Sequence, residues 1–559
     1  MCACKILIMS EALQLDTSPH VEIERGNIII DHGEGLIGPN VKSIDGLEWQ
    51  SPPAQDSLGA DVFQTKSVRV GTREELAAAL QFAREQKLLV RPAGALTSSK
   101  AFVSPPASFM KRFDKTGVML LGFNPSGDFS KITVDEDRRL VRAGASVTLA
   151  EVAEAVRLAT WDNDLKRPRL ESLMTITTMD AMLVATALGS GGVADSSHSS
   201  TTLMRSAQWM DGRGRLHDEA NRPSASYFDY SSFNEVHSGR IAKEMTGRGA
   251  PFGIGTEVVY KLGEAPVRRH QLIIPFRGSN EEVREKLQEF IVAANLADER
   301  VKGSRGVLYE LKSLELMGID AMEMAKDGMN GWTPEFEGEE PKAIIIVDVA
   351  EYQNGHELPD EFDSIGKIVE LGLIPEEFFD EAVYIDSSKH KKLDAFRLQG
   401  PEHIRSVRKR KYSNAPTCST DWAVYPGDER LVEWYFDRFF DLHDQIVPHA
   451  DVRALYGHCL RRLDLHHRVV VSDRDAMAAH LARKIEFGHE LVNRQVEGEW
   501  VRVRGEKVEL PFGEHLACIG MRRGNQHGST NVALLRELDP SGLFSSIAPE
   551  RWGGRYDWR

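Results

Sequence analysis

The period of apolar and polar positions changes several times along the chain, and each change marks an element. Ser67-Val68-Arg69-Val70 alternates as a half-buried strand does. Thr72-Arg73-Glu74-Glu75 has the form of a capping box, in which a Thr hydroxyl and a Glu carboxylate satisfy free N–H groups. Leu76, Leu80 and Ala83 then recur at helical spacing, so a helix is expected to about Lys87. Leu88-Leu89-Val90 is an apolar run that fits a buried strand, and it ends at Arg91-Pro92 because Pro92 cannot donate to a ladder. Small or hydroxylated residues follow, which let backbone N–H groups approach an anion closely. The predicted unit is strand, helix, strand and anion-friendly turn. Residues 100–128 read as loop.

Further on, Lys131–Val134 and Arg139–Arg142 flank Asp135-Glu136-Asp137-Arg138, which predicts a hairpin. Thr148-Leu149-Ala150-Glu151 is a second capping box and opens a helix through about Leu158. Thr178 to Gly192 is apolar and small, ending in a Gly/Ser cluster. Ala207 to Met210 predicts a strand, turned by Asp211-Gly212-Arg213-Gly214, and Phe252 to Thr256 leads into another at Glu257–Leu262. After Arg268 the pattern becomes more amphipathic. Gln271–Ile274 and Ala343–Val347 read as strands. Glu281 to Val292 reads as a helix with Val283, Leu287 and Ile291 on one face.

With 559 residues, two or more domains are expected. A net charge of −15 argues against nucleic acid or an anionic membrane as the main partner. The five Cys are odd in number and scattered, so no disulfide framework is read and a reducing compartment is expected. Cys2 and Cys4 form a C-x-C, a weak metal-binding pattern. The opening MCACKILIM is too short for a signal-peptide core, and no apolar run approaches the roughly 20 residues of a membrane span. The expected location is cytoplasmic.

Three features, in this order and spacing, resemble the flavin-binding domain of the vanillyl-alcohol-oxidase/p-cresol-methylhydroxylase superfamily. They are the VRPAGALTSS loop, AGASVTLAEVAEAV followed by TMDAMLVATALGSGG, and FGIGTEVVYKL. The resemblance implies that Arg91, Pro92, Ala93, Gly94, Ala95, Leu96, Thr97 and Ser98 cradle an FAD pyrophosphate. It implies that Asp180, Ala181, Ala185, Gly189 and Ser190 lie along the flavin, and that Gly253, Ile254 and Thr256 contact the adenine end. Thr97 stands where many members carry a His bonded to the flavin, so FAD is expected to be held non-covalently. Asp180-Ala181 stands in place of the family's Gly-Gly pair, and a carboxylate there would repel a pyrophosphate.

The carboxy-terminal half resembles the substrate domain of the FAD-linked D-lactate and D-2-hydroxy-acid dehydrogenases within that superfamily. The segments are Ile404 to Lys409, Tyr456 to His467, Phe512-Gly513-Glu514-His515 and Leu534 to Phe544, which contains Leu538-Asp539-Pro540-Ser541-Gly542. The resemblance implies that His458, His466 and Glu514 ligate Zn or Mn, that His515 takes the substrate's hydroxyl proton, and that Arg405 or Arg408 holds a carboxylate. His458 to His466 is one residue longer than the family spacing, and on one strand that slip would turn a side chain to the opposite face. A bulge at Arg461-Arg462 or substitution of His467 for His466 are the two remedies.

The expected fold is α+β. It comprises an N-terminal extension (1–57), a PCMH-type FAD-binding domain (58–265), an α+β substrate or cap domain (266–510) and a C-terminal segment returning to the flavin site (511–559). The expected activity is FAD-dependent oxidation of a small hydroxylated, carboxylate-bearing substrate, with an unidentified electron acceptor and a homodimer as the candidate assembly. Two rival readings exist. Ala194-Asp195-Ser196-Ser197-His198 is similar to a segment of FAD-dependent sterol reductases. A degenerate flavoprotein fold serving as a binding module is the other.

Overall fold

The computed structural model describes residues 29–31, 64–92, 114–125, 127–160, 169–172, 183–184, 204–218, 253–302, 308–329, 331–352, 360–399, 417–418, 422–424, 426–461, 463–493, 495–496, 499–500, 508–509, 515–516, 541 and 543–544. Two sheets build the first half. The smaller is ordered β1 (Ile29–Asp31), β2 (Gln64–Val70), β4 (Gly117–Phe123), β3 (Leu88–Pro92). Strands β2, β3 and β4 run parallel, and β1, from the N-terminal extension, pairs antiparallel with β2. The right place for a helix between β2 and β3 is fixed by the capping box. The Thr72 hydroxyl accepts from Glu75 N at 3.2 Å, and the Glu75 carboxylate accepts from Thr72 N at 3.1 Å. Helix α1 (Arg73–Glu85) then buries Leu76, Leu80 and Ala83 against the sheet.

One expectation fails here. Residues 117–123 are not loop but the central strand of this sheet, GVMLLGF, buried along nearly its whole length. A strand covered on both faces has no apolar–polar alternation to read.

The second sheet follows the order β5 (Ile132–Asp135), β6 (Leu140–Gly144), β10 (Gly253–Glu264), β8 (Met204–Asp211), β9 (Leu216–Asp218), with β7 (Leu170–Ser172) on the far end of β10. Helix α2 (Leu149–Thr160) starts at the second capping box, with Glu151 N donating to the Thr148 hydroxyl at 3.2 Å. Both sheets share one apolar core.

The carboxy-terminal half is organised on an eight-stranded sheet. Its order is β14 (Val383–Ile385), β11 (Arg268–Phe276), β13 (Ala343–Glu351), β12 (Tyr309–Gly318), β17 (Val452–His458), β18 (Leu463–Val470), β15 (Thr417–Cys418), with β16 (Trp422–Val424) also on β18. Helices α3 (Asn280–Lys302) and α5 (Glu429–Ile446) cover one face through Leu287, Phe290, Phe436 and Phe439. Helix α4 (Ile319–Gly328) and a helix over 390–399 cover part of the other through Ala321, Met322, Leu393 and Phe396. Helix α6 (Arg474–Asn493) follows β18 and packs against α5.

The C-terminal segment crosses back to the first half. Val90 N donates to Leu543 O at 2.6 Å, Arg91 Nη1 to Phe544 O at 3.1 Å and Lys115 Nζ to Ser541 O at 2.8 Å. Leu543 and Phe544 are 0% and 2% exposed within the core shared by the two smaller sheets. This contact covers β3, which is the edge strand of its sheet.

Candidate active site

The three segments assigned to flavin binding contribute to one apolar core where the structure describes them. Strand β3 delivers Arg91 and Pro92 at its C-terminal end, where parallel sheets bind ligands. Leu183 N donates to Val147 O at 2.9 Å, placing the second segment beside the start of α2. Ile254 joins Leu88, Val90, Leu183 and Val184 in the same core. Ala93, Gly94, Ala95, Leu96, Thr97, Ser98, Asp180, Ala181, Ala185, Gly189 and Ser190 lie outside the described residues.

Arg91 tests the fit of this region to a dinucleotide. It is 7% exposed, and burial lowers its basicity to about 10. Its Nη1 holds the Phe544 carbonyl, while Nε is buried and has no hydrogen-bond partner among the described residues. A buried guanidinium at the mouth of a small-residue loop suits a diphosphate, which accepts from its fork. At Gly253 a Cβ would overlap the Met210 carbonyl and the Trp209 ring, so its missing side chain serves strand packing. Thr256 is also committed to the protein: its hydroxyl donates to Gln208 Oε1 at 3.3 Å and its carbonyl accepts from Ala145 N at 2.9 Å.

On the large sheet, His458 and His466 belong to a hairpin of two strands and not to a single strand. The ladder between β17 and β18 has no bulge: Tyr456 faces His466 and His458 faces Asp464. His466 is therefore two residues from the partner of His458 and shares its face. The ring centroids are 5.1 Å apart. The extra residue is absorbed in the turn, where Arg461 adopts φ 55°. Substitution by His467 is also ruled out, because His467 points to the opposite face and is 3% exposed beneath α5.

Around these two imidazoles the sheet face is polar. Glu315 on β12 lies directly across from His458, with Oε2 2.9 Å from Nδ1. Arg397, from the helix over 390–399, holds the other Glu315 oxygen at 3.0 Å. Burial alone raises the Glu315 carboxyl, but His458 and Arg397 together hold it below the usual carboxylate range. The stabilisation from these contacts is thus complete at neutral pH and is lost as pH falls through that lowered value. His466 Nε2 lies 3.9 Å from Asp464 Oδ1. Along the same face, Arg269 pairs with Asp348 and is influenced by Glu171 of β7. Lys312 reaches Glu171 directly at 3.8 Å. This face is therefore turned toward the first half of the chain.

The arrangement is that of a base held by a carboxylate. An ionised Glu315 at Nδ1 orients the His458 ring and leaves Nε2 to exchange a proton. The sequence reading missed Glu315 and Arg397. The available signal was a Glu amid the apolar positions of Leu314-Glu315-Leu316-Met317, which a buried strand does not carry without a partner. Among the described residues no group of three His, Cys, Asp or Glu has the geometry of a metal site. Glu514, the expected third ligand, lies outside them, as do Arg405 and Arg408. His515 is described in backbone only, in a two-residue ribbon opposite Glu509.

No protein-family model matches the chain, and no curated protein sequence matches it. Solved structures do. The 4-ethylphenol oxidase from Gulosibacter chungangensis, in an isoeugenol complex, aligns with a TM-score of 0.56 at 13% identity, over 87% of this chain and 89% of its own. p-Cresol methylhydroxylase with substrate bound aligns with a TM-score of 0.54 at 11% identity, over 87% and 90%. An alkyldihydroxyacetonephosphate synthase aligns with a TM-score of 0.52 at 11% identity, over 87% and 77%. The chain therefore shares the fold of the 4-ethylphenol oxidase and of p-cresol methylhydroxylase.

Proposed function

We propose that the protein is an FAD-dependent oxidoreductase that oxidises a small hydroxylated, carboxylate-bearing substrate. The observation that carries this reading is the line Glu315–His458–Asp464, with His466 beside it, on the sheet face turned toward the flavin-type half. The shared fold supports it, as does the buried guanidinium of Arg91 at the end of β3.

FAD, held by Arg91, Pro92 and the small residues up to Ser98, supplies two-electron acceptance when bound. Thr97 offers no covalent link, so the cofactor is released on denaturation. The chain's own residues bind the substrate and manage its proton. His458, oriented by Glu315, is placed to take a hydroxyl proton. His515 is the second candidate for that role, and Arg405 or Arg408 would hold the carboxylate as a bidentate fork. No step is assigned to a metal. Glu315 is already engaged by Arg397, and a guanidinium beside it disfavours a dication.

Two results are expected. Arg91→Met costs the apoprotein about 1–3 kcal/mol, because the buried Phe544 carbonyl loses its donor. It lowers FAD affinity by about tenfold or more in equilibrium titration, the value of a charged hydrogen bond. The second concerns the substrate. Anaerobic mixing of FAD-loaded protein with short 2-hydroxy acids bleaches the visible flavin band. His458→Ala slows the bleaching by about a hundredfold with FAD still bound. Bleaching by a 4-alkylphenol with every 2-hydroxy acid inert would overturn the carboxylate reading, and an unchanged rate in His458→Ala would reject this sheet face as the site.

A further inference from the structure

The face of the large sheet opposite the candidate site hides a second polar cluster that the proposed chemistry does not use. His443 on α5, His467 on β18, and His480 and Lys484 on α6 meet where the two helices pack on the strand. The His443 and His467 ring centroids are 4.1 Å apart, and those of His467 and His480 are 6.4 Å apart. His467, His480 and Lys484 are 3%, 5% and 0% exposed. Nδ1 of His443 and Nδ1 of His480 are buried and have no hydrogen-bond partner among the described residues. Buried imidazoles left so are held neutral: burial outweighs the pull of Asp444 and Asp320 on His443, and His480 lies beside the cationic Lys484 and Arg483.

We propose that this cluster is an acid-operated latch: protonation of His443 and His480 releases the first half of α6 from the sheet while the rest of the domain stays folded. Two features make the opening local. The first half of α6 rests through Met477 on a small cluster of Ile446, Val469 and Val471, apart from the main core. The second half is fixed by Phe487 in the main core and by a Glu490–Arg438 ion pair. An element held by few apolar contacts at one end opens at that end first.

The charged groups around the two histidines set the sign. His443 faces Asp444 on its own helix, Arg284 on α3, Arg453 on β17 and Asp320 on α4. His480 faces Arg483 and Lys484 on its own helix and His443 across from it. His467, between them, faces Lys484 and Arg453. An exposed His449–Asp473 pair, 3.6 Å apart at the start of α6, contributes little in either direction. Burial, the largest cause, lowers His443 to about 4 and His480 to about 3. Once exposed, both return to the ordinary value of about 6.5. Docking is therefore fully favoured above about pH 6.5. Below it, each histidine weakens docking by up to about tenfold per pH unit, or about a hundredfold each at about pH 4.5.

Hydrogen–deuterium exchange of the full chain at about pH 7 and about pH 4.5, corrected for intrinsic rates, tests the latch. Amides in the first half of α6 are expected to exchange at least about tenfold faster at the lower pH, with β11 and β13 still protected. His443→Met with His480→Met should remove that difference. No change in α6, or loss of protection in the sheet together with α6, would overturn the proposal. If the double variant does not fold, the histidine NMR titration of the unaltered protein decides. Midpoints below about pH 5 for these two residues support the latch, and midpoints near about 6.5 refute it.

Discussion

Phe544→Ala is expected to destabilise the amino-terminal half of the molecule by about 3–5 kcal/mol, the usual cost of emptying a well-packed aromatic site. The affected partner, Arg91, lies 453 residues away in sequence. Phe544 is 2% exposed in the core that also contains Leu88 and Val90 of β3, so truncation leaves a cavity in that core. It also loosens the segment whose carbonyls receive Val90 N, Arg91 Nη1 and Lys115 Nζ. Because β3 leads into the loop assigned to the diphosphate, FAD retention should fall together with stability. Denaturant melts of the apoprotein and FAD titration of the same sample give the two readouts. A loss below about 1 kcal/mol would show that the clasp is superficial.

The second large effect is expected at the tip of the β17–β18 hairpin. Arg461 Nε and Nη2 meet the Asp298 carboxylate at 2.6 and 3.0 Å, and Nη2 also donates to Leu311 O at 3.1 Å. Asn295 ties the same turn to α3 by donating to Cys459 O at 2.8 Å. Burial raises the Asp298 carboxyl and Arg461 opposes that rise. Arg461→Ala therefore leaves a buried acid with Lys302, 3.8 Å away, as its remaining ion-pair partner among the described residues. The expected cost is about 3–5 kcal/mol. Arg461→Gly, which suits the left-handed backbone, should not rescue it, whereas Arg461→Lys should do so in part. The consequence reaches the site because this turn sets the pairing of His458 with Asp464. Equal stability for Arg461→Ala and Arg461→Lys would contradict the assignment.

What the residues revealed in advance was local. Both capping boxes and the alternating strands depend on neighbours within a few positions, and they stand where the pattern puts them. Strand β4 was illegible because burial on both faces erases the period. The phase of His466 was illegible for another reason. It depends on a left-handed Arg461, and that conformation is held by Asn295 and Asp298 from a helix remote in sequence. Glu315 and Arg397 were invisible as site residues because only the sheet order brings β12 beside β17. The family resemblance carried more than the pattern did. It anticipated the fold shared with the 4-ethylphenol oxidase and the return of the C-terminal segment to the first half.

The central claim is that this fold holds FAD without a covalent bond. Its most direct test is the absorption spectrum of the purified protein incubated with FAD and freed of excess cofactor. A bound flavin spectrum, with all of the flavin passing into solution on acid precipitation, is the predicted result. A colourless protein after incubation would contradict the account, and flavin remaining in the precipitate would contradict the role given to Thr97.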